Sequence, residues 1–231
     1  MLKGTSISIC VPALNEEKTL RGAVDDLLRT LSGLLHRIEI IIVDDGSTDT
    51  TPVLAEQMCR QHACVKVIHH AKRRGVGSCY RDALAIAQCD YFTWFPADHE
   101  NHAQEFIQCL PYLEKDKIVS CHHRGQDNRS FLRRLLSRLY TLALNRVLHL
   151  DLEYYNGLTI INTFLLRSFL LESNGFFFSA ESIIYALDSG CEMIEFSAPL
   201  RERVSGRSRA ITLPSLCQTF SDIRRTLVTL S

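Results

Sequence analysis

Ile40-Ile41-Ile42-Val43-Asp44-Asp45-Gly46-Ser47-Thr48-Asp49 is the stretch on which the fold turns. Four β-branched residues in a row leave no polar face, so the strand they form must be covered on both sides. The abrupt change to Asp-Asp-Gly-Ser then ends it in a turn. Working outward, the same pattern recurs. Upstream, the apolar run 7–11 passes through Asn15-Glu16-Glu17 into a helical periodicity over 16–35, and the strand itself starts near residue 38. Downstream, a helical pattern reaches about residue 62, followed by a strand over 65–69, a helix over 77–88 and a strand over 91–95. Apolar strands alternating with helices predict an α/β fold, with a mainly parallel sheet and helices on both faces. Ligands bind such sheets beyond the carboxyl ends of the strands. Three polar clusters fall at those ends: Asn15-Glu16-Glu17, Asp44-Asp45-Gly46-Ser47 and Asp98-His99-Glu100. Any one of them alone reads as a helix cap. Three at successive strand ends predict one shared site.

The second half is less regular. Residues 118–120 read as a strand, 131–150 as a long helix, 158–164 as a strand, 180–188 as a helix and 192–196 as a strand. The basic, glycine-containing segment 201–209 reads as a loop. With no internal repeat, low-complexity tract or linker, the expectation is a single domain over 1–231, with the three strand-end clusters in the half 1–105 and the less regular half at 106–231.

Composition limits the function classes. Hydrophobic residues make up 46% and charged residues 23%, as in ordinary globular proteins. Formal net charge is zero, so no general field recruits nucleic acid, and anion binding must come from local clusters. Nine cysteines, an odd number without paired metal-ligand spacing, read as free thiols in a reducing cytoplasm. Neither a signal-peptide core nor an apolar run of about 18 to 20 residues is visible, so a cytoplasmic protein is expected, with membrane contact at most peripheral.

The strand-end residues carry a resemblance. Val11-Pro12-Ala13-Leu14-Asn15-Glu16-Glu17 and the string from Ile40 to Asp49 resemble the nucleotide-binding strand ends of family 2 glycosyltransferases of GT-A type. Arg73-Arg74-Gly75-Val76-Gly77 through Asp90-Tyr91-Phe92 is similar to that family's next block. The likeness is clear over residues 5–105 and weaker beyond. It implies a Rossmann-like GT-A fold, a nucleotide-sugar donor, and inversion at the anomeric carbon. It implies donor contacts from Pro12, Asn15, Glu16, Asp44, Asp45, Arg73, Gly75, Asp98 and Arg203, with Asp45 favoured as the reader of the base.

The metal motif departs from the family's pattern. An Asp-x-Asp is expected after the fourth strand, but the chain reads Pro96-Ala97-Asp98-His99-Glu100, similar to a Pro-Ala-Asp segment of some members. A hard cation needs few protein carboxylates when a diphosphate and water supply the remaining oxygens. Asp98 and Glu100 are therefore the expected ligands of Mg²⁺ or Mn²⁺, with Asp98 the catalytic carboxylate. His99 and His102 have no partner at zinc-ligand spacing.

The closing segments, Ala180-Glu181 with Gly190, residues 194–199 and Arg203-Val204-Ser205-Gly206-Arg207-Ser208-Arg209, are similar to those of dolichyl-phosphate mannose synthase-like enzymes. That likeness implies a polyprenyl phosphate acceptor held by Arg124 and Arg133, with Glu181 on the acceptor side. It implies membrane-surface contact or a membrane-protein partner, since the sequence shows no counterpart of the C-terminal spanning helices of many relatives. On the predicted helix 131–150, Arg134, Ser137, Arg138, Thr141 and Asn145 form one polar stripe against a broad apolar face. Two other readings stand beside this one. A cytoplasmic transferase acting on a saccharide hydroxyl would need a base, for which Glu181 is the candidate. A non-catalytic nucleotide-sugar binder is the other, prompted by Pro96.

Overall fold

The computed structural model describes residues 4–98, 101–123, 131–198, 219, 221–226 and 228. Five elements alternate first: β1 (Ser6–Ala13), α1 (Leu20–Leu31), β2 (Arg37–Asp44), α2 (Thr51–Gln61) and β3 (Val65–His69). Then come α3 (Val76–Ile86), β4 (Tyr91–Trp94), α4 (Glu105–Cys109), β5 (Lys117–His123) and α5 (Phe131–Leu148). The described elements end with β6 (Leu158–Asn162), α6 (Thr163–Ser168), α7 (Phe178–Asp188) and β7 (Glu192–Ala198).

Among the described residues, seven strands form one sheet in the order β3-β2-β1-β4-β6-β5-β7. The first four run parallel, and only β6 opposes its neighbours β4 and β5. The mixed, mainly parallel sheet expected from the sequence is thus present. Alternation along β1 and β2 divides the core. Ile7, Ile9, Val11, Ile40 and Ile42 pack with α1, α2 and α4 on one face. Cys10, Ile41 and Val43 pack with α3 and the α6–α7 layer on the other. Residues 39–44 of β2 are buried, as its continuous apolar reading requires.

Differences from the sequence reading have local causes. Helix α1 starts at Leu20 rather than at residue 16, because Asn15 takes the left-handed region (φ 58°) and Glu16 O caps Thr19 and Leu20 N–H. It ends at Leu31, just before Gly33 turns the chain at φ 79°. Strand β6 stops at Asn162, whose side chain accepts the Leu165 N–H and begins the unforeseen α6. The polar stripe of α5 is turned partly inward. Asn145 accepts from Tyr155 Oη at 2.7 Å and donates to Leu152 O at 2.9 Å. Leu135, Leu139, Leu142 and Val147 are exposed instead, with Arg138 and Arg146 among them.

The eight described cysteines are free thiols. No helix among the described residues is long and apolar enough to cross a membrane.

Candidate functional site

Strands β1, β2 and β4 all deliver their carboxyl ends to one edge. The ladder carries Pro12 opposite Val43 and Ala13 opposite Asp44, and Asp45 N–H donates to Ala13 O at 2.9 Å. Beyond β4, Phe95 N–H donates to Cys10 O at 2.8 Å, so pairing with β1 continues one residue past the strand before the turn that carries the half-buried Asp98. Parallel pairing alone therefore brings together the Asn15, Asp44-Asp45 and Asp98 segments.

Two of these turns are stitched to each other. Asn15 N–H donates to Ser47 Oγ (2.9 Å), and Asn15 Oδ1 accepts the Thr48 N–H (2.8 Å). Glu16 N–H donates to Thr51 Oγ1 (2.8 Å), while its carboxylate takes the Thr19 hydroxyl at 2.7 Å. Asparagine suits position 15 because its short amide tolerates positive φ and bonds locally.

The aspartate pair serves two faces of the sheet. Asp44 accepts the Ser47 N–H at 3.0 Å and pairs with His69 Nδ1 at 3.0 Å, whose Nε2 meets Glu56 at 3.1 Å. The hydrogen bond to Asp44 is the main cause that raises the His69 pKa above its ordinary value, with Glu56 assisting. Asp45 lies on the opposite face. Its Oδ1 pairs with His70 Nδ1 (2.8 Å) and accepts the Arg74 N–H (2.7 Å), and its Oδ2 accepts the Gly75 N–H (2.9 Å). His70 Nε2 continues to Asp82 on α3 at 3.0 Å, and Asp82 takes Arg74 Nη1 at 2.6 Å. The His69-His70 pair was absent from the sequence reading. The signal that found the acidic clusters applies to it equally, because His69 ends a parallel strand and His70 follows it.

Glycines let the next layer close. A Cβ on Gly46 would stand 2.8 Å from Arg73 N, and on Gly75 (φ 98°) 2.3 Å from Asn174 O. On Gly77 it would lie 2.0 Å from Ser173 O. Gly77 N–H donates to Asn174 O (3.0 Å) and Ser78 Oγ to Asn174 Oδ1 (2.7 Å), while Arg81 grips Ser173 O and Asn174 Oδ1. The 172–174 segment is held from behind by Glu181, whose carboxylate accepts the N–H groups of Glu172 (3.1 Å) and Ser173 (3.1 Å). Glu181 is 1% exposed, and its burial pushes the carboxyl pKa up.

Of the sequence-predicted site residues, Pro12, Asn15, Glu16, Asp44, Asp45, Gly75 and Asp98 thus gather at or beside one edge. Arg73 is exposed beside them and has no ion-pair partner among the described residues. Glu181 reaches the edge only through the 172–174 segment. Glu100, Arg124 and Arg203 lie outside the described residues, as does His99; Arg133 lies on α5, and its side chain is likewise outside the described part.

Asp45, His70 and Cys79 bring a carboxylate, an imidazole and a thiol within 4.8 Å of one another, a grouping invisible in the sequence spacing. Burial, reinforced by Asp45 and Asp82, pushes the Cys79 thiol well up, so it stays protonated. The other two members are spent on each other and on the loop. Asp45 and His70 thus form a hydrogen-bonded pair, with the Cys79 thiol beside it.

Comparison with known proteins agrees with this geometry. A model described as Glycosyl transferase family 2 matches residues 8–174. Glycosyltransferase AglD of Haloferax volcanii is 24% identical over 203 residues, covering 84% of this chain and 32% of that protein. Dolichyl-phosphate beta-glucosyltransferase of Homo sapiens is 34% identical over 151 residues, 56% of this chain and 46% of the relative. Dodecaprenyl-phosphate galacturonate synthase of Rhizobium johnstonii is 24% identical over 67% of this chain and 46% of the relative. The chain thus spans less than half the length of each of these curated relatives. Among solved structures, glucosyl-3-phosphoglycerate synthase from Mycobacterium tuberculosis, in complex with Mn²⁺, UDP and phosphoglyceric acid, superposes with a TM-score of 0.73. That alignment covers 98% of this chain and 78% of the other at 24% identity, a likeness of fold. The sheet is that of GT-A glycosyltransferases, and the chain belongs to glycosyl transferase family 2.

Proposed function

We propose that the protein is an inverting glycosyltransferase that moves a sugar from a nucleotide-sugar donor to a polyprenyl phosphate at a membrane surface. The observation that carries this reading is the convergence of Asn15, Asp45 with its clamped 73–75 loop, and Asp98 at one strand-end edge. In this reading Asp45 fixes the loop that lies along the donor and keeps acceptor capacity on Oδ2 for a base or ribose. Gly75 allows close approach of the backbone to the donor, and Arg73 supplies an exposed positive charge beside it. Asp98, with Glu100, would hold a Mg²⁺ or Mn²⁺ ion, which when bound neutralises charge on the departing nucleoside diphosphate. One half-buried carboxylate at the edge fits an ion that draws its other ligands from diphosphate and water.

For the acceptor, two observations support a lipid phosphate. Relatives act on dolichyl and dodecaprenyl phosphate by their names. The outer face of α5 presents Leu135, Leu139, Leu142 and Val147 between Arg138 and Arg146, as suits a helix lying in an anionic bilayer interface. A phosphate acceptor is already an anionic nucleophile and needs cations to position it. Arg124 and Arg133 take that role in this reading, with Arg203 on the donor diphosphate. Glu181, enclosed and committed to the Glu172 and Ser173 N–H groups, acts by holding the 172–174 segment.

The test is transfer of radiolabelled sugar, from a panel of nucleotide sugars with Mn²⁺, to a short-chain polyprenyl phosphate in detergent. Transfer to the lipid with inversion is expected. Turnover of a soluble saccharide acceptor without lipid transfer would replace the acceptor assignment. Donor binding without any transfer would leave a nucleotide-sugar binder.

A further inference from the structure

We propose that His70 is a positioning residue of the donor site: it locks Asp45 and the 73–75 loop into the geometry that receives the nucleoside diphosphate of the donor. The inference rests on reading the strand-end edge as the donor site. Its ground is a closed circuit of contacts. Asp45 Oδ1 meets His70 Nδ1 at 2.8 Å, and His70 Nε2 meets Asp82 Oδ2 at 3.0 Å. Asp82 Oδ2 takes Arg74 Nη1 at 2.6 Å, and Arg74 N–H returns to Asp45 Oδ1 at 2.7 Å. The circuit joins the ends of β2 and β3 to the first turns of α3, so the loop between β3 and α3 is tied at both ends and across its middle.

Histidine is suited to this place by shape. Its rigid ring puts two polar nitrogens on opposite sides, and both partners are carboxylates, which only accept when ionised. An amide side chain carries its donors at one end and can reach one carboxylate, not both. The ring is buried, so it cannot swing into solvent and release Asp45. What it holds is also informative. The loop contains Gly75 at φ 98°, where no other residue fits against Asn174, and its backbone passes within 2.8 Å of the Cβ position of Gly46. Such a loop has one tight conformation beside the edge and many loose ones away from it. Holding it in place beforehand lowers the ordering cost that the donor would otherwise meet on binding.

The experiment compares wild type with His70→Asn, whose amide sits near the Nδ1 position, and His70→Gln, whose amide sits near Nε2. Binding of UDP and GDP with Mn²⁺ is measured by calorimetry well below each variant's unfolding temperature, and donor KM and kcat are measured in transfer. His70→Gln, which loses the Asp45 contact, is expected to weaken nucleotide binding and raise donor KM about 10- to 100-fold, with kcat much less affected. His70→Asn, which keeps it, is expected to stay within about 3-fold of wild type even where its thermal stability falls as much. Asp82→Asn weakens the Arg74 arm and the far side of the ring while leaving the Asp45–His70 contact in place, so it should lie between them, which keeps the test usable if His70→Gln does not fold. Equal nucleotide affinity in wild type, His70→Gln and Asp82→Asn overturns the positioning role while leaving the donor site intact. Parallel losses of affinity and stability in both His70 variants overturn it in favour of a purely structural ring. A wild-type protein that binds neither nucleotide, with Mn²⁺ or Mg²⁺, overturns the donor-site reading and this inference with it.

Discussion

Single positions at the edge carry unequal weights. Asp45 looks on paper like a carboxylate held ready for ligand, yet three donors of the protein already use it. Asp45→Ala leaves two loop N–H groups and a buried ring without an acceptor, so it should cost about 1–3 kcal/mol of stability as well as donor affinity. Asp45→Asn, whose amide oxygen still accepts, should cost less. Urea unfolding of both variants checks the order, and equal stability of wild type and Asp45→Ala would contradict the clamp. The glycines offer a second contrast. At Gly77 a Cβ would meet Ser173 O at 2.0 Å, so Gly77→Ala must move the 173–174 backbone and should lower stability by several kcal/mol. Gly190, at φ 88° with nothing within 4 Å, has only backbone strain to lose, and Gly190→Ala should cost about 1 kcal/mol. Thermal melts of the pair separate close approach from conformational freedom.

At the scale of elements, β2 and β3 share a buried charge below the site. Glu39 accepts from Ser8 Oγ at 2.6 Å and from the Gln88 N–H at 2.8 Å, and pairs with Lys66 Nζ at 2.6 Å. Burial alone would raise its pKa, but the hydrogen bonds from Lys66, Ser8 and Gln88 together outweigh burial and lower it. A carboxyl lowered in the folded state stabilises the protein above the unfolded pKa of about 4.3, and this stabilisation is lost as pH falls through the folded value. Lys66→Met keeps the aliphatic stem and removes the largest lowering influence. Its acid-unfolding midpoint, followed by circular dichroism, should therefore move to higher pH. An unchanged midpoint would show that the pair does not couple to folding. Helix α5 has the opposite character, with apolar residues outside. Leu142 is 64% exposed, so Leu142→Glu should leave the unfolding temperature nearly unchanged while reducing co-sedimentation with anionic phospholipid vesicles several-fold. Loss of stability without loss of vesicle binding would assign that face to the fold.

For the molecule as a whole, the expectation is cooperative filling of the edge. Glu16, Asp44 and Asp45 are already engaged by protein donors, so nucleoside diphosphate and divalent ion should each bind weakly alone and strongly together. At a ligand concentration about 100 times the dissociation constant, stabilisation should reach about 2.7 kcal/mol in the presence of Mn²⁺. EDTA should abolish most of it. Stabilisation that survives EDTA would remove the ion from the donor site and leave Asp98 without the role assigned to it.

The sequence by itself determined the class of the fold and the edge at which the candidate residues meet. Hydrophobic runs such as 40–43 can only be buried on both faces, and parallel strands must then present their carboxyl ends, with Asn15, Asp44, Asp45 and Asp98, to one edge. Those are local and periodic signals, readable one segment at a time. Tertiary structure alone decided the partners: that His70 joins Asp45 to Asp82, that Asn174 seals Gly75 and Gly77, and that Glu181 stands behind that seal. It also decided that α5 turns Asn145 inward and its leucines outward. Such contacts join residues from about ten to a hundred positions apart, brought together by strand order and helix packing. Spacing along the chain holds no record of them, because hydrogen bonds and close approaches depend on distance in space.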